Sequence, residues 1–123
     1  MFIGIGLDVV EIDRIGKALT KQGFKEKVYT PEEITYCEAR GAHAKESYAA
    51  RFAAKEAVGK AFGVGITKSS LLEIGVKNAP SGQPEVILTG RAKEFAKKKG
   101  MKKIHITISH IAAVAIASVV VEG

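Results

Sequence analysis

Three charged residues have types and spacing that could do chemistry. Glu56 and Lys60 lie four residues apart in the stretch 51–63, RFAAKEAVGKAFG, whose apolar residues recur with helical spacing. Both side chains therefore fall on one face of the predicted helix. Asp8 lies far away in the sequence, near the end of a predicted strand. Alone, the helical pair could be an exposed ion pair worth about 0.3–0.5 kcal/mol. The alternative is a functional site: Gly59 lies between the two residues and costs a helix about 1 kcal/mol relative to alanine, so we expect something to come close to the backbone there.

The first ten residues predict the strand that positions Asp8. Alternation with period two separates an aliphatic face, Ile3, Ile5 and Leu7, from a face that carries Phe2, Gly4, Gly6 and Asp8. Glycine inside a strand often marks close approach by a ligand, so we expect an open shelf beside the carboxylate. The alternative is that Asp8 faces solvent or forms a turn. The match to a dinucleotide fingerprint GxGxxG is weak, because Val9 stands at its third glycine position.

A basic stripe marks the next element, a helix predicted over 11–22. The stripe comprises Arg14, Lys17 and Lys21, and it continues to Lys25 if the helix passes Gly23. Most charge stripes are solvated faces of a helix. The alternative is a surface that docks an acidic helix, which opposite charge favours.

The remaining pattern predicts one α+β domain over residues 1–123. Thr30, Pro31 and Glu33 form a capping-box signature for a helix that ends near Arg40. The other predicted elements are a long helix over 46–62 that Gly63 ends, strands over 71–77 and 85–88, a helix over 89–99, and strands over 103–109 and 111–121. The last strand is nearly all apolar, which predicts burial on both faces, and a partner subunit could cover the second.

Composition narrows the classes of function. The chain has 123 residues, a formal net charge of +6 and one cysteine, Cys37, which cannot form an internal disulfide. It has no visible secretion signal or membrane-spanning run, so we expect a cytoplasmic protein with no membrane partner. The positive charge leaves a nucleic acid, an anionic cofactor or an acidic protein as partner. A non-catalytic nucleic-acid-binding module is the alternative to an enzyme, although exposed aromatic residues and known signatures are lacking.

Four motifs together resemble the small holo-acyl-carrier-protein synthases, a 4′-phosphopantetheinyl transferase family. They are GIGLDVVEIDRI at the start, RFAAKEAVGKAFG in the middle, the SGQP turn, and SHIAAVAIASVVVE at the end. The resemblance covers essentially the whole chain. It implies a mainly antiparallel sheet packed on a long central helix, and a homotrimer with sites between subunits.

The resemblance also implies a reaction. The family transfers the phosphopantetheine arm of coenzyme A to a serine of apo acyl carrier protein in fatty acid biosynthesis and releases adenosine 3′,5′-bisphosphate. By resemblance, Asp8 and Glu56 bind Mg²⁺, which prefers hard oxygen ligands, and Lys60 neutralises a coenzyme A phosphate. The attacking hydroxyl belongs to the carrier protein. Its base is left open among Glu56, Asp8 and a metal-bound water.

Further positions are assigned by the same resemblance. Gly63 and Gly65 shape a loop along coenzyme A, while Pro84, Ser109 and His110 lie near its nucleotide. His110 alone could equally be an ordinary exposed turn residue. Carrier proteins of the family are strongly acidic, so the resemblance implies that the carrier protein docks on the basic stripe. We expect Arg14, Lys21 and Lys25 to contact it, and Lys17 to a lesser extent.

Overall fold

The computed structural model describes residues 1–63 and 68–123 and forms an α+β domain. The strands are β1 (Phe2–Glu11), β2 (Ile74–Asn78), β3 (Pro84–Leu88), β4 (Lys103–His110) and β5 (Val114–Glu122). The helices are α1 (Ile12–Leu19), α2 (Phe24–Val28), α3 (Pro31–Glu38), α4 (Ala44–Phe62) and α5 (Gly90–Lys98). Short 3₁₀ turns cover Gly41–His43 and Lys68–Glu73. None of the helices in the described ranges is long and apolar enough to cross a membrane.

Two antiparallel sheets surround the long helix α4. One sheet has the strand order β1-β5-β4, and β2 pairs with β3 in the other. The helix packs along β1 and β5, and its alanines Ala49, Ala53, Ala54 and Ala57 are fully buried. The predicted fold, a mainly antiparallel sheet on a long central helix, is confirmed. Small side chains on α4 allow this close packing against the sheet.

The glycines of β1 serve this packing, so the expected open shelf is wrong. A Cβ atom at Gly6 would overlap the carbonyl oxygen of Ala57, and one at Gly4 would overlap that of Ala61. The close approach that glycine permits is therefore made by the backbone of α4 instead of a ligand. Asp8 remains on the same side of the strand and faces the helix edge.

The opposite face of this sheet is apolar, and residues 1–63 and 68–123 leave it exposed. Ile5 is 75% exposed, Leu7 57% and Val9 55% on β1, and Ile116 on β5 is also exposed. Along β5, buried residues alternate with more exposed ones, so the described residues fully cover only one of its two faces. Contiguous exposed apolar surface of this kind is typical of protein interfaces.

Several element boundaries differ from the sequence predictions, among them the start of the last strand, which is Val114 instead of residue 111. Helix α1 ends at Leu19 instead of Gln22, and the connection 24–29 contains α2, which begins after Gly23 in the left-handed conformation with φ +84°. Only glycine adopts such a φ readily, so the chain changes direction there. The predicted strand over 71–77 begins at Ile74 because 71–73 are helical.

The capping box of α3 is confirmed and leads into a buried ion pair. The Thr30 hydroxyl accepts from the Glu33 amide, and the Glu33 carboxylate accepts from the Thr30 amide. The same carboxylate contacts Lys55 Nζ at 2.7 Å, with the lysine side chain 0% exposed and the glutamate 2% exposed. The sequence pattern predicted the cap but not the ion pair.

Candidate active site

The structure brings Asp8 and Lys60 together. Lys60 Nζ donates to Asp8 Oδ1 at 2.9 Å and to the carbonyl oxygen of Leu7 at 3.0 Å. The lysine side chain is 55% exposed and that of Asp8 15% exposed, so the pair lies at the surface. An ion pair of this exposure contributes about 0–1 kcal/mol to stability and can be exchanged for a ligand.

Glu56 lies on the turn of α4 next to this pair. Gly6 of β1 lies against Ala57, and Lys60 reaches Asp8, so the turn 56–60 runs alongside residues 6–8 of the strand. Helical side chains tilt towards the N-terminus of their helix, which brings Lys60 back over the turn that carries Glu56. Residues that are distant in the sequence are thus gathered at one edge of α4.

A cleft of about 610 Å³ opens beside Glu56. We call it the Glu56 cleft, and it is lined by Arg14, Phe24, Lys27, Val28, Phe52, Glu56, Leu71 and Leu72. Apolar walls with two cations and one carboxylate can hold an amphipathic ligand that carries negative charge.

The basic stripe is divided between α1, the turn after it, and α2. Arg14 and Lys17 are exposed on α1, and Lys21 is exposed in the turn. Lys25 lies on α2 because the helix does not pass Gly23, and its Nζ contacts Glu38 at 2.9 Å. Of the four residues, Arg14 lines the Glu56 cleft, whereas Lys25 already has a carboxylate partner within the chain.

A second cleft, of about 370 Å³, brings together two of the predicted nucleotide-site residues, Pro84 and His110. We call it the Arg51 cleft, and it is lined by Tyr36, Arg40, His43, Glu46, Ser47, Ala50, Arg51, Asn78, Gly82, Pro84, Ile108 and His110. Two arginines and two histidines converge there, which suits an anionic group such as a phosphate.

Arg51 is the residue that sequence reasoning missed. It is 5% exposed, donates from Nη2 to Asn78 Oδ1 at 2.6 Å, and stacks 4.0 Å from the Tyr36 ring. Its Nε is buried without a hydrogen-bond partner among the described residues. Such an unpaired donor costs about 1–3 kcal/mol unless a ligand or water satisfies it. The available signal was a charged residue in the interior of the long helix, between the apolar residues Ala50 and Phe52.

The other predicted positions lie elsewhere. Ser109 is exposed and alternates with Ile108 and His110, so it faces away from the Arg51 cleft. Gly63 ends α4 with φ +82° and has open space around its Cα, consistent with a loop beside a ligand. Gly65 lies outside the described residues.

Asp8 and Glu56 are the two carboxylates that we predict to bind a metal ion. No group of three or more histidine, cysteine, aspartate or glutamate side chains in the described ranges could hold a metal ion. Asp8 and Glu56 would supply two oxygen ligands only. Mg²⁺ is commonly bound in this way, through one or two carboxylates, several waters and substrate phosphates.

Comparisons with known proteins match nearly the whole length of the chain. The family model for the 4′-phosphopantetheinyl transferase superfamily matches residues 4–117. A holo-[acyl-carrier-protein] synthase of Ruminiclostridium cellulolyticum is 48% identical over 95% of this chain and 90% of its own. The crystal structure of that enzyme from Neisseria meningitidis superposes with a TM-score of 0.90 at 32% identity, over 100% of both chains. The Helicobacter pylori enzyme, solved with coenzyme A, gives 0.82 at 38% identity, over 96% and 99%.

Proposed function

Because the chain belongs to the 4′-phosphopantetheinyl transferase superfamily, we propose that Asp8, Glu56 and Lys60 carry out its reaction with the help of Mg²⁺. The chain is an enzyme that transfers 4′-phosphopantetheine from coenzyme A to a serine of an acyl carrier protein. One observation carries the assignment of residues: Lys60 Nζ lies 2.9 Å from Asp8 Oδ1 beside the turn that carries Glu56. Because the partner is an acyl carrier protein, we propose a role in fatty acid biosynthesis and a cytoplasmic location.

The donor set of this site fits Mg²⁺. Asp8 and Glu56 offer hard oxygen ligands, and the Lys60 ammonium on Asp8 Oδ1 already indicates a position where a cation is favourable. When bound, the ion would neutralise charge on the diphosphate of coenzyme A and on the departing adenosine 3′,5′-bisphosphate. Lys60 can exchange its contact with Asp8 for a ligand, and it then supplies a second positive charge to the same phosphates.

The Arg51 cleft is proposed to hold the nucleotide end of coenzyme A. Arg51, Arg40 and the two histidines present cationic or protonatable groups, and the unpaired Nε of Arg51 gives a buried donor for a phosphate oxygen. Pro84 is the last residue of the SGQP turn and gives this cleft an apolar edge. Ser109 stays a prediction that would require a neighbouring subunit.

The two clefts lie on different sides of α4. Ser47 and Glu56 are nine residues apart, which places them about 180° apart on a helix of 3.6 residues per turn. One coenzyme A molecule would have to pass around α4 to contact both clefts of one chain. We propose instead that the Arg51 cleft of a second copy meets the Glu56 cleft, with the exposed face of Ile5, Leu7 and Val9 buried between copies. A homotrimer satisfies this arrangement for every copy.

Carrier-protein docking is proposed at α1 and the turn after it. Arg14, Lys17 and Lys21 are exposed, and Arg14 lines the Glu56 cleft, where the carrier serine must arrive. Lys25 must first give up its contact with Glu38 to take part. The attacking hydroxyl comes from the carrier, so no serine of this chain acts as nucleophile.

Transfer is tested by incubating the protein with coenzyme A, Mg²⁺ and an apo carrier protein and reading the carrier mass. We expect a mass gain of one phosphopantetheine arm, which a chelator abolishes. Glu56→Gln should lower the rate about 100-fold or more, whereas Glu32→Gln, an exposed carboxylate on α3 outside both clefts, should not change it. Full activity of Glu56→Gln would contradict the assignment. DNA binding without coenzyme A affinity would contradict the function itself.

A further inference from the structure

The net charge of the chain is concentrated in one short segment. Residues 91–103 contain seven of the 19 basic residues and one of the 13 acidic residues, Glu94. The rest of the chain is balanced, with 12 residues of each sign, so this segment carries the whole formal charge of +6. We call its basic residues the α5 surface: Arg91, Lys93, Lys97, Lys98, Lys99, Lys102 and Lys103.

All seven side chains of the α5 surface are exposed, and none of them forms a salt bridge within the described part of the chain. The helix dipole accounts only for the lysines in the last turn of α5. Arg91 and Lys93 lie in its first turn, where the dipole disfavours positive charge. Thr89, the residue before the helix, makes no side-chain bond to the amides there, and the Glu73 carboxylate accepts from those of Arg91 and Ala92 instead. The local fold therefore does not explain this charge.

A groove with an apolar floor lies within the α5 surface. It has a volume of about 320 Å³, and Lys93, Lys97 and Lys102 line it. Its floor is formed by Val86, Leu88, Ala96, Met101 and Ile104. An apolar recess with a cationic rim matches an apolar side chain that projects from an acidic protein surface.

Other anionic partners match this groove less well. A membrane would require protruding apolar side chains, but none of the exposed large hydrophobic residues falls within 91–103. Single-stranded nucleic acid would require exposed aromatic rings, whereas Phe95 is partly buried and stacks on Phe62 at 5.9 Å. The segment also has only one arginine, Arg91, to recognise phosphates with two parallel bonds.

We propose that the α5 surface is a second docking surface for the acidic carrier protein, distinct from the basic stripe on α1. It attracts the carrier over long range, and the groove receives an apolar side chain of the carrier on contact. This inference rests on the proposed function, because the carrier is the acidic protein on which the enzyme acts. Steering of this kind raises association rates by about 10-fold to 1,000-fold and falls with ionic strength.

The test replaces four lysines together, with a matched control. In one variant Lys93, Lys97, Lys98 and Lys102 become glutamine, and in the control the same four positions become arginine, which preserves the charge. At low ionic strength we expect the glutamine variant to lose about tenfold in kcat/KM for the apo carrier, through KM. Its kcat and its KM for coenzyme A should not change, and the arginine variant should match the wild-type enzyme within about twofold.

A salt series separates the possible outcomes. The difference between the variants should disappear near 1 M salt, where the Debye length is about 3 Å. An unchanged carrier KM in the glutamine variant would overturn the proposal, and so would a rise confined to the KM for coenzyme A. Loss of binding to anionic vesicles or to DNA, with carrier kinetics intact, would likewise overturn it in favour of those partners. Failure of the wild-type enzyme to modify the carrier would contradict the proposed function instead.

Discussion

Two lysine–carboxylate ion pairs, each with its lysine on α4, have the same chemistry but differ in burial. Lys55 and Glu33 are 2.7 Å apart with side chains 0% and 2% exposed, whereas Lys60 and Asp8 are 2.9 Å apart with side chains 55% and 15% exposed. The two lysines are five residues apart on α4. Burial therefore separates a structural pair from the pair that we propose to act in catalysis.

The buried pair has all of its hydrogen bonds satisfied. Lys55 Nζ also donates to the carbonyl oxygens of Leu71 and Ile74, and Glu33 Oε2 accepts from the Val76 amide at 2.7 Å. Burial lowers the pKa of Lys55, and the nearby Glu33 carboxylate opposes that shift. The pair fastens α3, α4 and β2 together and leaves no donor for a ligand. The exposed pair can release Lys60 to a phosphate.

The largest expected effect is on stability, from breaking the buried pair. Lys55→Met leaves the Glu33 carboxylate buried without its partner, so we expect the free energy of unfolding to fall by about 3–5 kcal/mol. Urea denaturation measures this loss. Adding Glu33→Gln should restore part of the stability, because an uncompensated buried charge costs more than a missing pair. A loss below about 1 kcal/mol in the single variant would show that the buried pair matters no more for stability than the exposed pair.

Breaking the exposed pair at Asp8 should instead affect catalysis. Asp8→Asn removes a negative charge from the proposed metal site, so we expect phosphopantetheine transfer to fall about 100-fold or more. The urea midpoint should stay near that of the wild-type protein, since exposed pairs contribute about 0–1 kcal/mol. Transfer assays over a range of Mg²⁺ concentrations check the rate and the metal requirement. Wild-type transfer in this variant would remove Asp8 from the site.

Replacing Lys60 should give an intermediate effect. Lys60→Gln removes one charge-assisted contact to a phosphate, and we expect the KM for coenzyme A to rise about tenfold. Stability should change by less than about 1 kcal/mol. Lys77→Gln, an exposed lysine on β2, provides the matched control. If both variants raised the KM equally, general charge rather than the contact of Lys60 would be responsible.

A third pair, between Lys25 and Glu38, extends the comparison to the smallest expected effect. The Tyr48 hydroxyl donates to Glu38 Oε2 at 2.5 Å, and Lys25 Nζ contacts the same oxygen. These two hydrogen bonds, the one from Tyr48 being the larger cause, hold the pKa of Glu38 below its usual value of 4.5. A carboxylate with a lowered pKa in the folded state stabilises the protein above its unfolded pKa and loses that contribution as the pH falls through the folded one. Tyr48→Phe should therefore raise the pKa of Glu38, which an NMR titration measures. An unchanged titration would show that the hydrogen bond is not the main cause.

The sequence predicted the helices and strands better than it predicted what each of their faces contacts. The long helix predicted over 46–62 lies within α4, and the capping box of α3 formed as expected. The helix α2 was missed because five residues give too short a pattern for helical periodicity. The aliphatic face of β1 was identified from its alternation, but the pattern could not show that this face lies outside the chain.

By itself, the sequence determined the α+β domain, the long central helix, and the candidates Asp8, Glu56 and Lys60, because period and motif are local properties of the chain. Tertiary structure alone decided which lysine of α4 is buried against Glu33 and which reaches Asp8. It also decided that Gly4 and Gly6 admit a helix, and that Arg51 joins His110 across α4 and β4. Contacts between distant residues depend on how the elements pack, and no spacing within one element specifies that.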